Sequence, residues 1–182
     1  TNPFDDDKLR EECGIFGIWG AENAASFVAL GLHALQHRGQ EAAGITVFDG
    51  KHFHSHRAMG HVAGNFDRDD VMRKLPGRTA IGHVRYSTAG ESGIKNAQPI
   101  LIDCAHGEIA IAHNGNLVNA QELRDDLVSQ GSIFQTTSDT EVLLHLYARS
   151  KAGTIEQAVV DSVTMARGAF SLVLLTKDRL IA

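Results

Sequence analysis

Cys13 stands where a charged stretch, TNPFDDDKLREE, gives way to the apolar, glycine-spaced run CGIFGIWG. That position has two readings. Cys13 is a small buried hydrophobe, since free cysteine is among the most buried residue types, or a nucleophile that becomes the first residue once residues 1–12 are cut away. His52, His54 and His56 alternate, which puts them on one face of a strand. Imidazole suits zinc, but an exposed polar strand face accounts for the same pattern. His33 and His37 lie four apart on a predicted helix without H-E-x-x-H and read as packing or polar-face residues. Cys104, within a predicted strand, is most simply core. Gly14, Gly17 and Gly20 recur by threes and do not make the G-x-G-x-x-G dinucleotide fingerprint. Taken alone, Asn114-Gly115 is a common turn pair, and Asp139 is a helix-start carboxylate that suits the helix dipole.

The elements that must position these residues follow from periodicity. Gly14 to Ile18 is a predicted strand ended by Gly20. Asn23 to Gln36 is a predicted helix with one stripe of Phe27, Leu30 and Ala34 beside another of Val28, Leu32 and Leu35. Ala43–Phe48 and His52–His56 flank Asp49-Gly50, the signal of a type I′ hairpin. A short helix over Asp67–Lys74, stopped by Pro76-Gly77, precedes a strand over Thr79–Tyr86. Residues 87–98 lack apolar periodicity and are predicted as loop. A strand pair, ILIDCA and EIAIAH, joins through His106-Gly107. Helices are predicted over Asn119–Gln130, over Thr140–Arg149 and after the capping Thr154. A strand over Ala169–Leu175 and a turn at Lys177-Asp178 lead into a further strand. Strands in hairpins and helices in groups favour antiparallel sheets and an α+β class over a βαβ repeat.

Composition narrows the function classes. The chain has 182 residues, 43% hydrophobic and 21% charged, enough for one sizeable core. Its net charge is −5, and no Lys/Arg block exists, which argues against nucleic acid as a partner. No apolar run reaches 18 residues, so no membrane span is expected, and the N-terminal stretch has no apolar run that would make a secretory signal. Two cysteines without C-x-x-C exclude a disulfide framework or a four-cysteine zinc site and fit a reducing, cytoplasmic location.

Five stretches, CGIFGIWG, LHALQHRGQEAAGI, GHVRYSTAG, IAHNGNL and TTSDTEVLLHLY, occur in an order that resembles the glutaminase domain of the N-terminal-nucleophile glutamine amidotransferases. The wording is closest to the branch of purine synthesis that aminates phosphoribosylpyrophosphate. HRGQEAAG and RYSTAG depart from the RGYDSAG and RWATHG of the hexose-phosphate aminating relatives. The resemblance runs from residue 13 to the end. It implies a four-layer α/β/β/α sandwich of two antiparallel sheets, with residues 1–12 as an acidic leader and 13–182 as a glutaminase domain cut short at its C-terminal end.

The same resemblance assigns roles. Cys13 attacks the side-chain carboxamide of glutamine, releasing ammonia and leaving a thioester that water hydrolyses to glutamate. An N-terminal Cys carries a thiol near pKa 8.5 and an α-amine near 7.7–8.0, close enough to share a proton. With the leader attached that nitrogen is an amide, so the intact chain is expected to be inactive. Asn114 and the backbone N–H of Gly115 match the oxyanion donors. Arg85 matches the residue that grips the substrate α-carboxylate, its fork suited to bidentate pairing. Thr88 lies in the same loop, Asp139 matches the carboxylate for the α-ammonium group, and Arg38 supports the nucleophile's surroundings. No cofactor is expected in this stretch. For the longer enzyme the resemblance implies magnesium, an iron–sulfur cluster in some leader-bearing members, phosphoribosylpyrophosphate as acceptor and a homo-oligomer. The rival readings are a hexose-phosphate aminating enzyme and a non-catalytic module that keeps its leader.

Overall fold

The structure, a computed structural model, describes residues 13–39, 41–86 and 93–182. Its framework is two four-stranded antiparallel sheets. The first contains β1 (Gly14–Ile18), β2 (Ala42–Phe48), β3 (Phe53–Met59) and β4 (Thr79–Arg85) in the order β1-β4-β2-β3. The second runs β5 (Ile100–Cys104), β6 (Gly107–Leu117), β7 (Gly168–Thr176) and β8 (Leu180–Ile181) in sequence order. Helix α1 (Ala24–Ala34) covers the outer face of the first sheet, with the short α2 (Asp69–Met72) beside it. Helices α4 (Thr140–Arg149) and α5 (Ile155–Met165) cover the second, and α3 (Ala120–Ser129) packs on α4 through Leu123, Leu127, Val142 and Leu146. This is the expected α/β/β/α sandwich.

Strand alternation distributes the side chains among three apolar layers. In β4, Ala80 and Val84 face α1, while Ile81 faces the opposite sheet. In β6, Ile109 and Ile111 turn toward α4 and α5, while Ala110 and Ala112 meet Ile81, Val173 and Leu175 between the sheets. Close approach is purchased with glycine: a Cβ on Gly82 would lie 2.5 Å from Val28 Cγ1 and 2.7 Å from Leu32 Cδ1 of α1. Thr154 caps α5 by accepting from the Gln157 N–H, as its sequence suggests.

Two local expectations change. Of the two α1 stripes, Val28 and Leu32 are fully buried, whereas Phe27 and Leu30 are 50% and 66% exposed. One narrow stripe suffices for a helix lying on a flat sheet. The β2–β3 connection is a four-residue loop and not a type I′ turn. Asp49 does not take a positive φ; its carboxylate instead accepts the N–H groups of Lys51 and His52, an Asx-type closure.

Among the described residues a polar contact crosses between the sheets. His83 of β4 is fully buried, and its Nε2 donates to the backbone carbonyl of His113 in β6 at 3.1 Å. Gln98 reinforces the join, accepting the His113 N–H at 2.8 Å. Burial lowers the His83 pKa to about 3, outweighing the hydrogen bond, with the neighbouring His113 and Arg85 pushing the same way.

The folded chain therefore refuses a proton that the unfolded chain accepts below pH 6.5. Stability contributed by neutral His83 is complete above that value and declines as pH falls toward 3, by up to about 1.4 kcal/mol per pH unit. Urea midpoints measured from pH 7 to 4 should fall less steeply in His83→Gln than in the parent; equal slopes would refute this. Gly82→Ala should lower stability by about 1–3 kcal/mol through overpacking against α1, read by thermal unfolding.

Candidate active site

The β1–β4 register pairs Gly14 with Val84, which sets Cys13 beside the end of β4, where Arg85 and Tyr86 lie. Cys13 is half-buried, and its Sγ lies 3.8 Å from the Tyr86 carbonyl oxygen. A turn of 3₁₀ helix at Gln36–Arg38 follows α1 and carries Arg38 to the same place. There its Nε donates to the Cys13 carbonyl at 2.9 Å. Gly39 makes this approach possible, because a Cβ there would sit 2.7 Å from the Val84 carbonyl carbon. Arg38 thus grips the nucleophile candidate through its backbone.

Arg85 is buried, with Nη1 donating to the Asn96 carbonyl at 2.8 Å and Nε 3.6 Å from Glu41 Oε2. Burying a guanidinium without a counter-charge is costly, and Glu41 supplies that charge. Glu41 went unremarked in the sequence, although it is the acidic residue of HRGQEAAG. Thr88 lies outside the described residues.

Asn114 and Gly115 do not form a turn. Both lie within β6, opposite Ser171 and Phe170 of β7. Gly115 has φ +137°, and a Cβ there would overlap the Ala169 carbonyl oxygen. The glycine is demanded by a twisted strand crossing rather than by a chain reversal, and it leaves Asn114 half-buried and Gly115 exposed.

Asp139 is the N-cap residue of α4, yet its side chain makes no cap hydrogen bond. Its carboxylate instead accepts the Leu117 N–H at 3.1 Å and lies 3.5 Å from His113 Nδ1. Burial raises its pKa, but His113 and the N–H groups of Leu117 and Thr140 outweigh that, so the net shift is downward and Asp139 is ionised at neutral pH. His113 Nδ1 also approaches Thr140 Oγ1 at 3.2 Å, and Thr140 in turn meets Ser138 Oγ at 3.0 Å.

These groups share one end of the sandwich. Cys13, Arg38 and Arg85 sit on the first sheet. Asn114, Gly115 and Asp139 sit on the second, and the His83–His113 bond sets the two strand ends against each other. An apolar groove between α1 and residues 62–72, lined by Leu30, Val62, Phe66 and Met72, contains none of them. The histidines expected to be inert are elsewhere too: His54 pairs with Asp49 and His56 stacks edge-on against Phe66. Both are half-buried rather than fully exposed. Among the described residues no group of three His, Cys, Asp or Glu could hold a metal ion. Cys104 ends β5, in the sheet opposite Cys13, and is half-buried at the edge of the helix-facing core. These residues do not fit an iron–sulfur cluster.

Several known proteins resemble this chain. A protein called amidophosphoribosyltransferase from Rhizobium etli is 49% identical over 181 residues, spanning 100% of this chain and 36% of its own length. One of the same name from Bacillus subtilis is 48% identical over 174 residues, spanning 95% and 36%. The chain thus spans about a third of the length of the curated relatives it matches. Among solved structures, one described as the allosteric regulatory enzyme of purine biosynthesis superposes with TM-score 0.85 at 48% identity, covering 90% of this chain and 35% of that one. The glutamine phosphoribosylpyrophosphate amidotransferase of B. subtilis, complexed with ADP and GMP, gives TM-score 0.83 at 46% identity, covering 90% and 35%. The family model described as glutamine amidotransferase domain matches residues 83–182, the stretch from the inter-sheet histidine through Arg85, Asn114 and Asp139. By that match the chain belongs to the glutamine amidotransferase domain family.

Proposed function

We propose that this chain is the glutaminase part of an amidophosphoribosyltransferase, acting through Cys13 once residues 1–12 have been removed. The observation that carries the reading is Arg38 Nε bonding the Cys13 carbonyl at 2.9 Å beside the buried Arg85. A cysteine serving only as filler needs no cation on its carbonyl and no buried guanidinium next to it.

In the processed form the Cys13 α-amine takes the thiol proton as sulfur bonds to the carboxamide carbon of glutamine. Negative charge then develops on the carboxamide oxygen, where the Asn114 side-chain N–H and the Gly115 backbone N–H stabilise it. The C–N bond breaks, the amine returns its proton to the departing nitrogen, and ammonia leaves a glutamyl thioester. Water attacks the thioester, freeing glutamate and restoring the thiol. Arg85 holds the α-carboxylate of the substrate, and Asp139, ionised across the physiological range, holds its α-ammonium group. Thr88 contributes to the same substrate loop.

In the longer protein the ammonia would react with phosphoribosylpyrophosphate to give phosphoribosylamine. Magnesium, and an iron–sulfur cluster where one is present, would be held by residues outside those described, and a homo-oligomer is the proposed assembly. A cytoplasmic location fits a sequence with two cysteines and no C-x-x-C. Among the described residues no helix is long and apolar enough to cross a membrane.

Intact mass before and after treatment with diazo-oxo-norleucine, a reactive glutamine analogue, tests the reading. A chain beginning at Cys13 should gain one adduct, absent in Cys13→Ala, and a chain beginning at Thr1 should gain none. A Cys13-first chain that stays unlabelled would overturn the catalytic reading. Asn114→Ala should cut the glutamine hydrolysis rate by about 10²–10³-fold, with the fold intact by circular dichroism.

A further inference from the structure

We propose that Asn96 is a positioning residue that ties the two halves of the substrate clamp together and so sets the enzyme's demand for a free α-amino acid. The inference rests on the glutaminase reading and extends it to a residue that touches no substrate. Asn96 is completely buried between the two segments that carry the clamp. Its backbone carbonyl accepts from Arg85 Nη1 at 2.8 Å. Its side-chain Oδ1 accepts the Thr137 N–H at 3.1 Å, and its Nδ2 donates to Thr137 Oγ1 at 2.9 Å. Thr137 stands two residues before Asp139.

One residue therefore holds the guanidinium by its main chain and the segment leading to the carboxylate by its side chain. The two substrate charges that Arg85 and Asp139 meet sit on adjacent atoms of one α-carbon, so the clamp works only at a fixed spacing. A carboxamide with both a donor and an acceptor is suited to the task, because it pairs at once with a backbone N–H and a hydroxyl. Buried and doubly bonded, it has little freedom to drift. The second sheet holds the other side of Asp139 through Leu117 and His113, so loss of Asn96 frees the spacing without releasing the carboxylate itself. Glu41 holds Arg85 from its opposite side in the same way.

The test uses the processed protein, with Cys13 first, and two reagents. Diazo-oxo-norleucine carries both α-groups and reads the clamp; iodoacetamide carries neither and reads the reactivity of Cys13 alone. Asn96→Ala should weaken half-saturation by the glutamine analogue about tenfold to hundredfold, as a displacement of about an ångström does. Its inactivation rate at saturation and its alkylation rate by iodoacetamide should stay at the parent values. Thr137→Val, which removes one of the two side-chain bonds, should give a smaller loss, and Thr137→Ser should restore the parent value. Unchanged half-saturation in Asn96→Ala, in a parent protein that labels normally, would overturn the clamp and leave the glutaminase reading standing. Parallel falls in both reagents would also overturn it, showing that Asn96 serves the fold or the nucleophile. A parent protein that the analogue fails to label would overturn both.

Discussion

Two apolar sheet faces in contact have no intrinsic reason to prefer one sliding position, because hydrophobic burial is non-directional. Here the position is set by a hydrogen bond that crosses between them, from His83 to the carbonyl of His113, while Gln98, just ahead of β5, accepts the N–H of that same residue. Such bonds are strong in a water-free interior and costly to leave unmade. They bring the end of β4, with Cys13 and Arg85 beside it, against the stretch of β6 that carries Asn114 and Gly115. The candidate active site spans the seam between the sheets, and the His83–His113 crossing registers it.

Around that seam the charges come in neutralised sets. Arg85 faces Glu41, and Asp139 faces His113 and two backbone N–H groups. Asp139 keeps its ionised form because His113 and the nearby N–H groups outweigh its desolvation. His83 stays neutral chiefly because it is fully buried, with His113 and Arg85 adding to the effect. Arg85 and Asp139, at one end of the molecule, are the cation and anion that the proposed function assigns to the two charges of an amino-acid substrate.

Much of the frame was legible in the sequence. Helix α4 runs from Thr140 to Arg149 as predicted, because Asp139 breaks the apolar pattern before it and the stripe of Val142, Leu143 and Leu146 is strong. The strands of the second sheet were legible as short apolar runs, except that β6 runs on past His113 to Leu117. What escaped was tertiary and polar. Asn96 meets Thr137 across 41 positions and His83 meets His113 across 30, separations at which no local period operates. Asn114-Gly115 misleads any local rule: the pair that usually turns a chain here continues a strand, and its glycine answers to the neighbouring β7 backbone. The resemblance identified these residues where periodicity could not.

The grip of Arg38 on the Cys13 carbonyl has a consequence for maturation. That bond, the pairing of Gly14 with Val84 and the contact of the thiol with Tyr86 all act through the carbonyl side or the side chain of Cys13. None of them involves the nitrogen that peptide cleavage would release. On the function we propose, a chain with residues 1–12 still attached would keep these three contacts of Cys13 while one amide bond withholds the base. Activation by the proposed cleavage would then be a change in one nitrogen's proton affinity, made on a carbonyl that Arg38 already holds.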